Sequence, residues 1–208
     1  MARQIVPGYL VIDDFLPDDL ISQLDAQVAA EEPRLFEIAI DSDINGHGYA
    51  GSRRLWQAPG GLGHCEPAFT AAVSARLGDL FTATGIQPCP PARYEYELNA
   101  QFDGAFFERH IDSDFGPAAA ARTTDRVISA VYYFSRPSAR HTGGELELFA
   151  FNGTEPAVSI APRRNRLVAF PSFAWHQVAR VSAQDEGLAN ARLSINCWIH
   201  RARPGTAD

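Results

Sequence analysis

Lysine is missing altogether, and all 18 basic residues of this 208-residue chain are arginine. Schiff-base lysine chemistry is thereby excluded. Any anion held by a side-chain cation at neutral pH must rest on arginine or, failing that, on a protonated histidine. Cysteine is scarce as well. Cys65, Cys89 and Cys197 are odd in number and lack metal-type spacing, so buried thiols in a reducing, cytoplasmic interior are expected. No apolar run approaches the ~20 residues that cross a bilayer. Met1 to Pro7 lacks the apolar stretch of a secretory signal. The excess of acids, net charge −7, argues against a nucleic-acid backbone or an anionic membrane surface as the main partner.

What remains is an ordinary globular composition, 46% hydrophobic and 21% charged, with no repeat, low-complexity tract or linker. One domain spanning 1–208 is expected. Residues 1–93 read as a helical cap. Tyr9 to Ile12 forms a short strand. Asp18 to Glu31 places Leu20, Ile21, Leu24 and Val28 on one helical face, with Pro17 and Pro33 at its ends. A second helix is expected from Pro67 to Thr84, closed by Gly85. Between them, residues 41–64 are polar and Gly-rich, carry Arg53, Arg54 and Trp56, and read as a long loop suited to a lid.

From Tyr94 the period becomes two. Tyr94 to Leu98, Val127 to Phe134, Glu145 to Phe151, Ala157 to Ala161, Arg166 to Phe170, His176 to Val181 and Arg192 to Ile199 read as strands. Turn signals such as Asp103-Gly104, Gly143-Gly144 and Asn152-Gly153 separate them. The expected class is α+β, with N-terminal helices on one sheet of a jelly-roll core at 94–201.

His110 and Asp112 stand two apart in Phe106-Phe107-Glu108-Arg109-His110-Ile111-Asp112. On extended backbone, residues i and i+2 project from one face, so both can reach one ion. His176, in Phe173-Ala174-Trp175-His176, opens a later strand. Two imidazoles and one carboxylate on one face of an octahedron leave three positions open, the arrangement of non-haem Fe(II) oxygenases. Alone, each element has a bland alternative: a capping pair for His110 and Asp112, a satisfied core histidine for His176. Asp114 is a rival carboxylate.

The last strand adds to the pattern. Arg192, Ser194, Asn196 and Trp198 share one face of Arg192-Leu193-Ser194-Ile195-Asn196-Cys197-Trp198. An arginine with a neighbouring hydroxyl suits a carboxylate, because guanidinium offers a planar pair of donors. A polar-lined barrel interior follows, the alternative being a strand whose polar face meets solvent.

With His110-x-Asp112, His176 and Arg192-x-Ser194 in this order, the chain resembles the 2-oxoglutarate and Fe(II)-dependent oxygenases, in particular the prolyl 4-hydroxylase-like branch. The resemblance covers roughly Tyr94 to Arg201. Gly104 and Phe107 before His110, Arg126 opening the strand to Tyr133-Phe134, Gly143-Gly144-Glu145-Leu146, Pro162 to Phe170 and Trp198-Ile199-His200 all contribute to it. It implies a double-stranded β-helix of the cupin type, Fe(II) held by His110, Asp112 and His176, and 2-oxoglutarate as cosubstrate, anchored by Arg192 with Ser194, Gln101 and Trp198. Gln101 stands where the branch often has tyrosine. Residues 182–190 look like an insertion, which leaves Arg180 as a minor rival to Arg192. The carboxylate of Asp112 favours hydroxylation over halogenation, whose enzymes carry a small residue there.

The expected activity is hydroxylation of an aliphatic C–H of an amino-acid, peptidyl or related small-molecule substrate, with release of succinate and CO2. Arg53, Arg54, Trp56 and Arg109 could meet that substrate. Two other classes stand beside this one: a non-catalytic cupin-like module binding a metal or ligand, and a metal hydrolase or isomerase with Asp114 as base.

Overall fold

A computed structural model of the chain describes residues 4–38, 52–113, 121–185 and 187–203, without the side chains of residues 38 and 52–55. The helices come first. α1 (Asp18–Glu31) follows Pro17, which is extended and outside the helix, and opens on Asp18 and Asp19, acids that suit the positive end of the helix dipole. Its residues Leu20, Ile21, Leu24 and Val28 are buried. The expected second helix is two, α2 (Glu66–Ser74) and α3 (Leu77–Thr84), because Arg76 leaves helical backbone at φ −107°. Phe69, Val73, Leu80 and Phe81 nevertheless all face the core, so the apolar spacing runs straight through the break. Gly85 ends α3 with φ +71°, the left-handed cap anticipated for it.

The described residues form twelve strands: β1 (Leu10–Ile12), β2 (Phe36–Ile38), β3 (Ser52–Gln57), β4 (Arg93–His110), β5 (Thr124–Tyr133), β6 (His141–Gly143), β7 (Leu146–Phe149), β8 (Pro156–Ile160), β9 (Arg166–Pro171), β10 (His176–Val178), β11 (Val181–Ala183) and β12 (Arg192–Ala202). Pairing is antiparallel throughout, in the order β1-β9-β5-β12-β4-β10-β7-β8, with β3 and then β2 on the other edge of β4, and β6 with β11 as a separate pair. Residues 52–57, expected within a loop, are thus a sheet strand. Of the rest of the proposed lid, 58–64 is a turn running into a 3-10 helix (Gly63–Cys65) with Ala58 and Leu62 buried in the core, and 41–51 lies outside the described residues. β2 and β6 carry no alternation strong enough to read.

β4 shapes the curl. β12 pairs with Arg93 to Gln101 and β10 with Phe107 and His110, both along the edge away from β3. Between those stretches Gly104 sits at φ +79°, a backbone that side chains resist. Asp103-Gly104, read as a turn, is a bend inside one strand that carries it from one layer of the roll to the other.

The faces of β12 divide the molecule. Leu193, Ile195, Cys197 and Ile199 are buried against the apolar cluster that also holds Leu24, Val28, Phe69, Val73 and Leu80 from the helices. A smaller cluster, Tyr133, Leu146, Leu148, Ile160, Val168, Phe170 and Ala174, fills the opposite layer. Among the described residues no helix is long and apolar enough to cross a membrane.

Candidate metal centre

His110 ends β4, Asp112 follows it, and His176 begins β10, where it pairs with His110. Antiparallel pairing therefore brings together residues 66 apart in sequence. Their donor atoms all lie within 4.8 Å of one another. Each histidine anchors Nδ1 on a backbone carbonyl, His110 on Glu108 at 2.7 Å and His176 on Ala174 at 2.9 Å. That leaves both Nε2 atoms turned to Asp112, at 3.6 Å from its Oδ1 and Oδ2 respectively. Fixing the far ring nitrogen in this way orients an imidazole as a ligand. Phe107 and Phe170 pack on the two rings, with centroids 4.0 and 4.6 Å away.

Asp112 is held from behind. Its backbone N–H donates to Ser172 O at 2.9 Å, and Ser129 Oγ donates to its Oδ2 at 2.6 Å, with Ser172 Oγ 2.9 Å from Ser129 Oγ. Burial by itself would raise the carboxyl, but the His176 and His110 imidazoles and the Ser129 hydrogen bond outweigh it and hold the group well below the usual range. Burial, seconded by His110, lowers His176 to about 4. A carboxylate beside a neutral His176 imidazole is the protonation state that a divalent cation requires.

On the inner face of β12, Arg192, Ser194, Asn196 and Trp198 pair in register with Gln101, Asn99, Glu97 and Glu95 of β4. On the other side Ser194, Asn196 and Trp198 meet Tyr133, Val131 and Ser129 of β5. The cavity thus has two ends. At one, Arg192 is 2% exposed; its Nε donates to Gly144 O at 2.8 Å and its Nη1 to Gln101 Oε1, with Ser194 Oγ at 3.4 Å. Its guanidinium carbon stands 4.8 Å from the centre of the Tyr133 ring. Arg192 forms no ion pair among the described residues, and Glu145 attracts it only at longer range. Tyr133 Oη is buried beside the guanidinium without a well-aligned hydrogen bond. A buried cation beside an unsatisfied hydroxyl is costly unless an anion completes the group, so the donor set fits a carboxylate. At the other end, Trp198 shares its row with Ser129, close to Asp112, so it stands by the metal centre and away from Arg192.

Several sequence candidates fall elsewhere. Arg180 donates to Gly104 O at 2.9 Å and lies over Phe106, so it is not a second anchor beside Arg192. Arg109 stacks on Phe149 and Trp175, at 4.4 and 5.0 Å. Trp56 packs edge-on to Phe102 in the helix-side cluster, turned from the cavity. The Arg53 and Arg54 side chains and Asp114 lie outside the described residues. Sequence reading passed over Ser129, Tyr133, Asn99 and Glu97. The last two were detectable, because polar residues recur at Glu95, Glu97, Asn99 and Gln101 on what proves to be an inner face.

The profile of the 2OG-Fe(II) oxygenase superfamily matches residues 93–200. A protein of Synechocystis sp. named as an uncharacterized PKHD-type hydroxylase is 30% identical over 146 residues, 65% of this chain and 46% of that one. The chain therefore spans about half the length of this relative. Among solved structures, a Pseudomonas putida prolyl-4-hydroxylase superposes with TM-score 0.65 at 23% identity, covering 94% of each chain. A Trichoplax adhaerens prolyl hydroxylase, solved with a hypoxia inducible factor peptide fragment, gives TM-score 0.64 at 18% identity over 93% of this chain and 83% of that one. These confirm the jelly-roll fold, and the profile match across the strands that carry His110, Asp112, His176 and Arg192 shows that the chain belongs to the 2OG-Fe(II) oxygenase superfamily.

Proposed function

We propose that the chain is an Fe(II) oxygenase dependent on 2-oxoglutarate and O2, which hydroxylates an aliphatic C–H bond of an amino-acid, peptidyl or related small-molecule substrate. The observation that carries this reading is the meeting of the His110, Asp112 and His176 donor atoms, with Arg192 buried on the inner face of β12 and forming no ion pair among the described residues. In the assigned roles, His110, Asp112 and His176 hold the metal. Arg192 takes the far carboxylate of 2-oxoglutarate, with Ser194, Gln101 and Tyr133 as hydrogen-bonding neighbours. Iron with 2-oxoglutarate supplies the oxidation when bound: one atom of O2 enters the C–H bond, the other enters succinate, and CO2 leaves.

The residues of the chain position and enclose. Ser129 and the Ser172 backbone fix the Asp112 carboxylate, Phe107 and Phe170 keep the imidazoles from swinging, and Trp198 lines the cavity beside the metal centre. Holding the reactants in one geometry is the larger part of what such a scaffold contributes. The peptide carried by the Trichoplax relative supports a peptidyl substrate as one form. A single domain, with 1–93 capping 94–201, is supported by the cluster joining helices and sheet. The unpaired state of Cys65, Cys89 and Cys197 supports a reducing, cytoplasmic setting.

The test is an anaerobic titration of metal-free protein with Fe(II) and then 2-oxoglutarate, following the visible charge-transfer band of the chelate. The band is expected in the wild type, absent in His176→Ala, and displaced in Arg192→Ala to 2-oxoglutarate concentrations roughly a hundredfold higher. Succinate release then scores substrates. A folded wild type without the band would leave the cupin-like binding module as the better reading.

A further inference from the structure

We propose that Glu97 is a specificity-determining residue and that the substrate carries a cationic nitrogen, an ammonium or guanidinium, held between Glu97 and Asn99. This rests on the oxygenase reading and narrows its substrate class. β4 places Glu97 on the inner face, opposite Asn196 and between Glu95 and Asn99, one row from the Trp198 and Ser129 row that reaches Asp112.

The other acids of this face are matched. Glu95 receives Arg126 Nη2 at 2.6 Å and lies 2.8 Å from His200 Nε2. Asp112 has two imidazoles and a serine hydroxyl. Arg126 is committed twice over, to Glu95 and to the face of Trp198, whose centre is 3.9 Å from its guanidinium carbon. Glu97 forms no ion pair among the described residues: Arg126, engaged by Glu95, acts on it only at longer range, and its hydrogen-bond partner is the neutral amide of Gln57. Burial raises its pKa; a bound cation favours the ionised form and reverses that cost.

Asn99 gives the second, independent observation. It is 1% exposed, and both its amide nitrogen and its amide oxygen are buried without a partner. Orphaned buried amide groups are costly, and each one in a native structure calls for an explanation, a partner not yet in place being one. Residues two apart on a strand have Cα atoms roughly 7 Å apart on one face, so side chains leaning together from them can share one ammonium or guanidinium, which gives one N–H to the Glu97 carboxylate and one to Asn99 Oδ1. A neutral alkyl chain leaves both unanswered, and a second carboxylate is repelled.

The experiment uses matched probes on the protein loaded anaerobically with Fe(II) and 2-oxoglutarate: L-lysine against norleucine, L-arginine against citrulline, and glutamate, each free and as its N-acetyl amide. Binding is read by calorimetry, and 2-oxoglutarate consumption after admission of O2. Within at least one pair the cationic member is expected to bind about tenfold or more tightly and to be the one that stimulates consumption. Glu97→Gln should erase that preference while the 2-oxoglutarate titration stays as in wild type, and Asn99→Ala should weaken the same cationic probe. Equal binding of the neutral partners, no binding by any probe, or a preference surviving in Glu97→Gln overturns the proposal. Failure of the oxygenase reading shows separately, as a missing charge-transfer band before any probe is added. Calorimetry on the metal-free protein then decides the cation preference by itself.

Discussion

Arg192 Nε donates to the carbonyl oxygen of Gly144 at 2.8 Å, and a β-carbon built on Gly144 would stand 2.5 Å from Arg192 Cδ. The glycine is therefore part of the arginine's seat. It also holds φ +72°, where an L side chain costs about 1–2 kcal/mol. Gly144→Ala should push the guanidinium from its place and weaken 2-oxoglutarate binding roughly tenfold or more, while Fe(II) binding is retained. Titrating 2-oxoglutarate into the Fe(II) protein checks this, and wild-type affinity in the variant would refute it.

Ser129 has no expected contact with metal, yet it donates to Asp112 Oδ2 at 2.6 Å. Hydrogen bonds behind a ligand typically account for 10–100-fold in metal affinity. Ser129→Ala should weaken Fe(II) by about tenfold, read by competition with a chelator of known affinity, and Ser129→Thr should recover part of the loss. Unchanged affinity in the alanine variant would show the carboxylate to be held by the backbone alone.

The metal-free protein should lose stability as pH falls from about 6.5 to about 4. Burial lowers His176 to about 4 from its usual 6.5, so across this window the unfolded chain binds a proton that the folded chain refuses. The contribution is complete above the unfolded value and disappears as pH drops toward the folded one, on the order of 3 kcal/mol in all. Asp112, lowered from its own ordinary value, adds its loss at still lower pH. Urea midpoints at about pH 7, 5.5 and 4.5 test this, and the slope should flatten in His176→Ala. A midpoint that rose on acidification would contradict the assignment.

Phe69 is wholly buried and meets Phe15, Tyr96 and Tyr132 at centroid distances of 6.3, 5.7 and 5.6 Å. It joins α2 to the helix-facing side of the sheet. Phe69→Ala should cost about 3–5 kcal/mol in denaturant unfolding, with the metal site unchanged in whatever fraction remains folded. A loss below about 1 kcal/mol would mean that the cluster closes over the gap.

The metal residues were legible because the chemistry is local in sequence at one end, His110-x-Asp112, and because few residue types complete it. Arg192 was legible because an arginine alternating with apolar residues on a strand needs a reason to be there. α1 was legible to the residue, since Pro17 and the spacing of Leu20, Ile21, Leu24 and Val28 agree. Other parts were not. The break at Arg76 has no proline or glycine to announce it and leaves the apolar face continuous. β3 lies in a stretch whose composition suits a loop and is held by pairing with β4, a partner distant in sequence. Ser129 sits in Val127-Ile128-Ser129-Ala130-Val131, where a small polar residue in an apolar strand has no mark until the sheet curls and brings Asp112 to it. Glu97 was read as a strand residue alone, since alternation tells which residues share a face and the curl alone tells which face is inside.

The single strand β4 carries Glu97, Asn99, Gln101 and His110 on one run of backbone, so the spacing between Glu97 and the His110, Asp112 and His176 cluster is written into its length. Adding or removing one residue there turns every later side chain to the opposite face, which would part His110 from Asp112 and His176 and Gln101 from Arg192. Replacing a side chain at 97 or 99 leaves that spacing intact. The ancestry of new substrate preferences on this scaffold is accordingly expected to lie in point substitutions along β4, with insertions confined to turns outside that strand.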